Sequence, residues 1–566
     1  MTGANLSVAY QTLLCPDVSA NIFEYLAPGH RPSPEELPFV HWEWQNRRHA
    51  LFVLAQTCSA LAGPALDVLW RIVEEPSNLL AILPTYAVGS RCFCGVITDE
   101  HWERFQLYAS RVLELEVVDT QRYSQLPCDS TWTMLMQRSS GGPALSQLSR
   151  LAIDDDQASA LMALLHQGIT YLDVKASDTS SRTFDLISLF ADIIRPHLSH
   201  IARMTLVPYM VSALEPAEGG RFGGGYELSA LTHIEELHLS RFDNHRPITL
   251  SFVTAIVSFP RLRELEINLI CSADSRASLA TNEVPAGFFE LRVLKLTGTP
   301  PDIAAFLEAT DPPCLEELIL IVPESRTEPT GRGFVTEGAL QRLYEHIPLS
   351  IRRFRFRMCS FVYPRKAHPS LDLDALHQHF APLRNLEELR RVSLSVENST
   401  ACLTERHLLD LCTAWPHLTH FEFLPVRLTP AKTCYPTFPT FSTTLAFVRA
   451  HPFLVHLVLP GLSPVGIPDV GTPAASTFPL RQLWIDRLAP NTPIVPLAIA
   501  LDAVFPNLDL GPVAISKVKP SDYIDEDEEY YPRRHSANTA DYAGTLRTVL
   551  SALQTSRRLQ LSGASL

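Results

Sequence analysis

The stretch Ile351-Arg-Arg-Phe-Arg-Phe-Arg357 sets arginines at 353, 355 and 357 in alternation with phenylalanines. A period of two is that of a strand, so three guanidiniums share one face while the rings face the other. A guanidinium holds a pair of oxygens in a planar fork, so such a cluster suits an acidic or phosphorylated peptide. Arg391, His420, His456 and Trp484 fall at corresponding places in later strand-like segments, and Trp484 adds an aromatic beside the cations. The same positions read backwards give Glu317, Lys295 and Val293, Glu266 and Glu264, then His238 and Glu236, so the sign changes at Arg353. This predicts a substrate-binding face. A plainer reading is that the arginines are solvated, or neutralised by Glu422 and by the acidic run at 522–529.

Bond-making chemistry is harder to find. There is no His-Glu-x-x-His and no Asp-x-Asp-x-Asp-Gly calcium loop. Gly461-Leu-Ser463-Pro-Val-Gly466 is one residue too long for a nucleophile elbow, and Pro464 opposes the helix that should follow. His377-x-His379 and His417-x-x-His420 lack a well-spaced carboxylate or thiolate set, and Asp154-Asp155-Asp156 reads as a solvated turn. The glycine-rich segment 218–225 has neither the spacing nor the Gly-Lys-Ser/Thr ending of a phosphate cradle, so it reads as an insertion. The 11 cysteines include no Cys-x-x-Cys pair. Cys92 and Cys94 are the closest two, so reduced, mostly buried thiols are expected. The reading is of a protein that is not an enzyme, with no metal and no cofactor.

Composition agrees with a packed, acidic chain. Of 566 residues 46% are hydrophobic and 19% charged, ample for a core. A net charge of −14 argues against bulk nucleic-acid binding, which needs a positive footprint. No apolar run approaches the length of a membrane span, and the first residues lack the pattern of a signal peptide. The expectation is a soluble intracellular protein, cytoplasmic or nuclear, with no membrane partner.

The elements that position these residues recur. The pattern apolar-x-x-apolar-x-apolar begins at Val112, Leu148, Ile169, Ile201, Ile234, Leu262, Leu291, Leu315, Ile351, Leu389, Leu418, Leu454, Leu480 and Phe505, about 30 residues apart. Between copies lie helical patterns, as in Thr404–Trp415, where Leu408, Leu411, Cys412 and Trp415 share a face and Thr404 suits an N-cap. Prolines such as Pro260, Pro348, Pro416, Pro452 and Pro506 follow those patterns and end them. Each unit is a short strand plus a helix, and neither buries its apolar face without a neighbour.

This alternation resembles leucine-rich repeats over residues 105–566, with an acidic insertion at 520–536. The repeat's Asn/Cys position is matched by Cys359, and one residue late by Cys271 and Asn398. Spacings of 21 to 38 residues predict an irregular solenoid of the α/β class, with parallel strands inside and helices outside. The alternative is an ordinary α/β sheet whose strand order leaves sequence order.

Residues 1–75 add a helical module with a proline-rich insertion at 28–46, joined to the repeats by cap or linker helices at 76–104. Leu14, Pro16, Ile22, Phe23 and Leu26, then Leu51, Leu54, Cys58, Leu61, Leu66, Leu69 and Trp70, resemble the F-box, here with Cys15 between Leu14 and Pro16. The order of these motifs before the repeats resembles the fungal group of F-box proteins with irregular leucine-rich repeats. The resemblance implies a substrate-recognition subunit of an SCF-type cullin–RING ubiquitin ligase. Leu14, Pro16, Ile22, Phe23, Leu26, Leu51, Leu54, Leu69 and Trp70 would then dock the ligase adaptor, and through it the cullin. A scaffold whose first helices merely cap the repeats is the other reading.

Overall fold

The computed structural model describes residues 15–27, 38–57, 59–117, 126–140, 142–154, 157–175, 193–194, 197, 199–206, 233–239, 250–269, 287–323, 337–359, 381–397, 403–426, 438–467, 478–485, 488–489, 492–508, 546 and 548–556. Leu14, Cys58, the glycine-rich segment 218–225, His377, His379 and the acidic run lie outside the described residues, as do Cys271 and Asn398; of the last expected hexamer, 505–508 are described and form a turn, and 509–510 lie outside.

The chain opens with three helices. Helix α1 (Pro16–Leu26) starts after Cys15, with Pro16 in the first turn, where its missing N–H costs nothing, and Asp17 near the helix's positive end. Helix α2 spans Pro38–Thr57, so residues 38–46 are helical and do not belong to the expected insertion. Helix α3 (Ser59–Leu69) starts five residues before Pro64 and carries that proline inside. Phe23, Leu51 and Ala65 form the core of this module, with Leu26, Leu54, Leu61, Val68 and Leu69 packed partly against it. Arg47 of α2 donates to the carbonyls of Tyr25 and Ala27 at 3.3 and 3.5 Å, where α1 runs out of internal partners. Arg71 holds Glu24 through both guanidinium nitrogens, at 3.0 and 3.2 Å.

The strand–helix array then begins earlier than the hexamers predict. Strand β1 (Ile72–Val73) is followed by α4 (Pro76–Leu80), the antiparallel hairpin β2 (Tyr86–Ala87) and β3 (Cys92–Phe93), α5 (Asp99–Ala109) and β4 (Glu114–Val117). Then come α6 (Asp129–Arg138), β5 (Arg150–Asp154), α7 (Ala158–Leu164), β6 (Tyr171–Lys175), β7 (Arg203–Leu206), β8 (Glu236–Leu239) and α8 (Leu250–Val257). The next are β9 (Glu264–Leu269), β10 (Val293–Gly298), α9 (Pro300–Thr310), β11 (Glu317–Pro323), α10 (Glu337–Glu345), β12 (Arg353–Cys359), a 3₁₀ turn (Ala381–Asn385) and β13 (Arg391–Glu397). The series closes with α11 (Glu405–Leu411), β14 (His420–Val426), α12 (Phe441–Ala450), β15 (His456–Leu459), β16 (Gln482–Ile485) and α13 (Ile494–Val504).

Strands pair in parallel in the order β1, then β4 through β8, in the first compact unit, and β9 through β16 in the second, so within each the strand order never leaves sequence order. That is consistent with a solenoid-like α/β fold and not with a sheet wound in two directions. One backbone device sets the register. At the entries to β4 through β8 and β10 through β16, two successive N–H groups share the carbonyl of the equivalent residue one unit back. Arg292 and Val293 donate to Arg263, Arg352 and Arg353 to Glu316, and Arg390 and Arg391 to Arg352. Leu113 and Glu114 likewise donate to Arg71, which is why the array starts there.

The first apolar residue of each described hexamer is buried, from Val112 at 0% exposure to Leu480 at 0%. Helix ends obey the same local chemistry. Thr98, Thr299, Thr404 and Thr440 each accept a backbone N–H from the first turn of their helix. Helices α8, α10, α12 and α13 stop short of Pro260, Pro348, Pro452 and Pro506. Contacts divide the chain into two compact units, Met1–Asp243 with Phe259–Leu262, and Asn244–Ser258 with Arg263–Leu566.

Candidate functional site

In the second unit the core chooses the face. Phe354 and Phe356 meet the ring of Tyr344 on α10 at 6.4 and 6.3 Å, and Phe421 meets Phe447 on α12 at 5.2 Å. These rings point to the helices, so alternation turns Arg353, Arg355 and Arg357 to the opposite face. Parallel pairing then places Glu317, Arg353, Arg391, His420, His456 and Gln482 side by side in one row. A second row holds Glu266, Lys295, Ile319, Arg355, Ser393, Glu422, Val458 and Trp484. All seven residues expected to bind a substrate therefore share one face, in register.

Their partners differ. Arg353 reaches Glu317 at 3.1 Å, and Lys295 reaches Glu266 at 2.7 Å. Glu422 accepts from the Ser393 hydroxyl at 2.8 Å and lies 3.0 Å from Nε2 of His456, whose Nδ1 is 2.7 Å from Oε1 of Gln482. The His456 ring and, next, the Ser393 hydroxyl hold the Glu422 carboxyl below its ordinary range against the opposing pull of burial. The same contact with Glu422 raises His456. The His420 and His456 rings stack at 5.6 Å, and His420 is held down by burial first, then by Arg391 and by His456. Arg355 and Arg391 are exposed, and among the described residues no carboxylate lies within ion-pair distance of either.

The first unit builds its strand row differently. Arg150 pairs with Glu114 at 3.4 Å and covers the Tyr171 ring at 4.3 Å, while Arg203 pairs with Glu236 at 3.1 Å. Beside them Lys175 lies 3.9 Å from Asp173, whose carboxyl burial pushes up. Asp173 was not singled out by motif. Its only sequence signal is the alternation of Tyr171-Leu-Asp-Val-Lys175.

The helical module corrects part of the expected docking set. Phe23 and Leu51, at 3% and 0% exposure, fill the module's core and present no surface. Leu26, Leu54 and Leu69 are half-buried against that core. Trp70 is half-buried and packs edge-on to Tyr108 of α5 at 5.3 Å, and Ile22 is also half-buried. Pro16 sits in the first turn of α1. Among the described residues of the module, the large apolar side chains that do face outward are Tyr25, Phe52 and Val53, at 75%, 49% and 40% exposure. They escaped the sequence reading because they lie off the apolar stripe that marks the core.

Of the tempting histidines, His417 stacks loosely on Phe453 at 6.3 Å. Among the described residues no group of three or more His, Cys, Asp or Glu is placed to hold a metal ion. Among them, too, no helix is long and apolar enough to cross a membrane. Comparison of the chain with protein-family models and with curated proteins gives no match.

Proposed function

We propose that this chain is a substrate-recognition subunit of an SCF-type cullin–RING ubiquitin ligase, acting in the cytoplasm or nucleus. Residues 15–70 would dock the adaptor, and the sheet face would hold a protein substrate. The observation that carries the reading is a three-helix module with its own core of Phe23, Leu51 and Ala65, set before a parallel strand–helix array. Such a receptor contributes position, so no bond chemistry is assigned to its residues. Tyr25, Phe52 and Val53 supply the exposed apolar surface that an adaptor helix needs.

A second reading, a scaffold with no ligase role, is favoured by the seam behind the module. Arg111, just after α5, donates to the Gly63 carbonyl at 3.1 Å and pairs with Asp67, and Trp70 packs on Tyr108. Those contacts suit a cap. Co-purification separates the two readings. The full chain, tagged and expressed in a fungal cell, is expected to bring down the adaptor and cullin, and Phe52→Asp with Val53→Asp to lose both while the melting temperature holds. Failure of the wild-type chain to retain the adaptor leaves the scaffold.

A further inference from the structure

We propose that Arg355 and Arg391, with Arg353 beside them, seat a phosphoryl group carried on a serine or threonine of an extended protein segment. Trp484 takes an apolar or aromatic side chain about four residues away from it. The proposal rests on reading the sheet face as a protein-binding surface, and it needs no ligase.

Register is the first argument. Arg353 stands directly opposite Arg391, and Arg355 follows Arg353 by two residues on the same face. Like charges set opposite on neighbouring strands oppose pairing, and the core does not ask for them, since it is served by Phe354, Phe356 and Val392 on the other side. Among the described residues, nearby carboxylates do not cancel them. Glu317 is engaged with Arg353 alone, and Glu422 is engaged with Ser393 and His456, meeting Arg355 only through a longer-range attraction. The corresponding row of the first unit shows what a neutralised row looks like, with Arg150 and Arg203 each on a glutamate.

Chemistry chooses the ligand. A phosphate monoester carries nearly two charges and three acceptor oxygens, which two forked guanidiniums can grip from either side. His420, next to Arg391 in the row, is kept from its proton by burial and by neighbouring cations, so a bound dianion would relieve that opposition. The distance to Trp484 sets the spacing. From β13 to β16 is three strand steps, about 14 Å at about 4.8 Å each, or about four residues of extended chain. A nucleic-acid backbone offers phosphates too, but a chain of net charge −14 repels a long anionic polymer.

The test is fluorescence anisotropy with the full chain and two labelled peptide pools, one with a fixed phosphoserine and an aromatic four residues to either side, the other with plain serine. The phosphorylated pool is expected to bind at least about tenfold tighter. Arg355→Glu and Arg391→Glu should each lose about tenfold or more, and Arg355→Lys less, because an ammonium has no fork. Trp484→Ala should weaken only peptides bearing the aromatic. Should a glutamate variant fold poorly by its melting curve, Arg355→Lys and Arg391→Gln carry the comparison. Equal binding of the two pools, no binding of either, or full retention by the variants overturns the proposal. So does competition by inorganic phosphate or by oligo-dT as strong as by phosphopeptide at equal phosphate. Loss of the adaptor in co-purification would leave this result untouched.

Discussion

His456 and Glu422 show how a partly buried pair makes stability depend on pH. His456 has its proton affinity raised by Glu422, so its contribution is whole below its unfolded value of roughly 6.5 and is lost as pH rises through the folded value. Glu422 is lowered, so its contribution is whole above roughly 4.3 and is lost as pH falls through the folded value. Both are complete only between those limits. The stability difference between the wild type and Glu422→Gln should therefore be greatest near pH 5 to 6 and shrink by pH 8, as read from denaturant midpoints in a pH series. Because both groups are partly exposed, the coupling should stay within about 1 kcal/mol. A neighbouring residue gives a sharper number. Trp415 sits at φ +54° with its Nε1 donating to the Leu383 carbonyl at 2.8 Å, both buried. Trp415→Phe removes that donor while the Leu383 carbonyl keeps the N–H of Leu386 at 3.1 Å, so the loss is that of one hydrogen bond and should be about 0.5 to 1.5 kcal/mol in the same measurement.

At the scale of elements, caps and prolines carry much of the pattern. Thr404 accepts from His407 N–H while the His407 ring accepts from Thr404 N–H, a reciprocal cap at the start of α11. Thr404→Ala should cost about 1 kcal/mol by thermal or chemical unfolding, and Thr404→Ser much less. Thr404 and its helix were legible from spacing, yet the expected helix to Trp415 ends at Leu411, since the left-handed turn at Trp415 serves its tryptophan bond to Leu383. Strand positions were legible for the reason that the leading apolar residue of each described hexamer is driven fully into the core. Strand β1 was not, because two residues held by the Arg71 carbonyl device leave no periodicity to read. The arginine face followed from alternation on one strand. Its juxtaposition with Arg391 and its separation from Glu422 depend on loop lengths that fix register between strands, and composition is silent on those. In the helical module, helix periodicity marked Phe23 and Leu51 as special but did not say whether their face met a core or a partner.

For the whole chain, the order of strands implies how a local defect should spread. Among the described strands of the second unit, β9 through β16 are hydrogen-bonded each to the next in sequence, and the helices pack in the same succession. Stability in such an array is a sum of each repeat's own terms and those of its nearest neighbours. Leu389 opens β13's repeat, two residues before the strand, and is 0% exposed. Leu389→Ala removes its buried methyl groups and leaves a cavity, at a cost of about 2 to 5 kcal/mol. Were the unit a globular core with long-range contacts, that loss would raise amide exchange throughout. In a nearest-neighbour array it should fall mainly on β12, β13 and β14, and β9 and β10 of the same unit should keep their protection. Hydrogen exchange read by mass spectrometry on peptides from 353–359, 391–397 and 420–426 against 264–269 and 293–298 decides between them. A uniform rise across all five peptides would mean that the strands unfold as one cooperative body. A confined rise would mean that the arginine face can be altered repeat by repeat without loss of the rest.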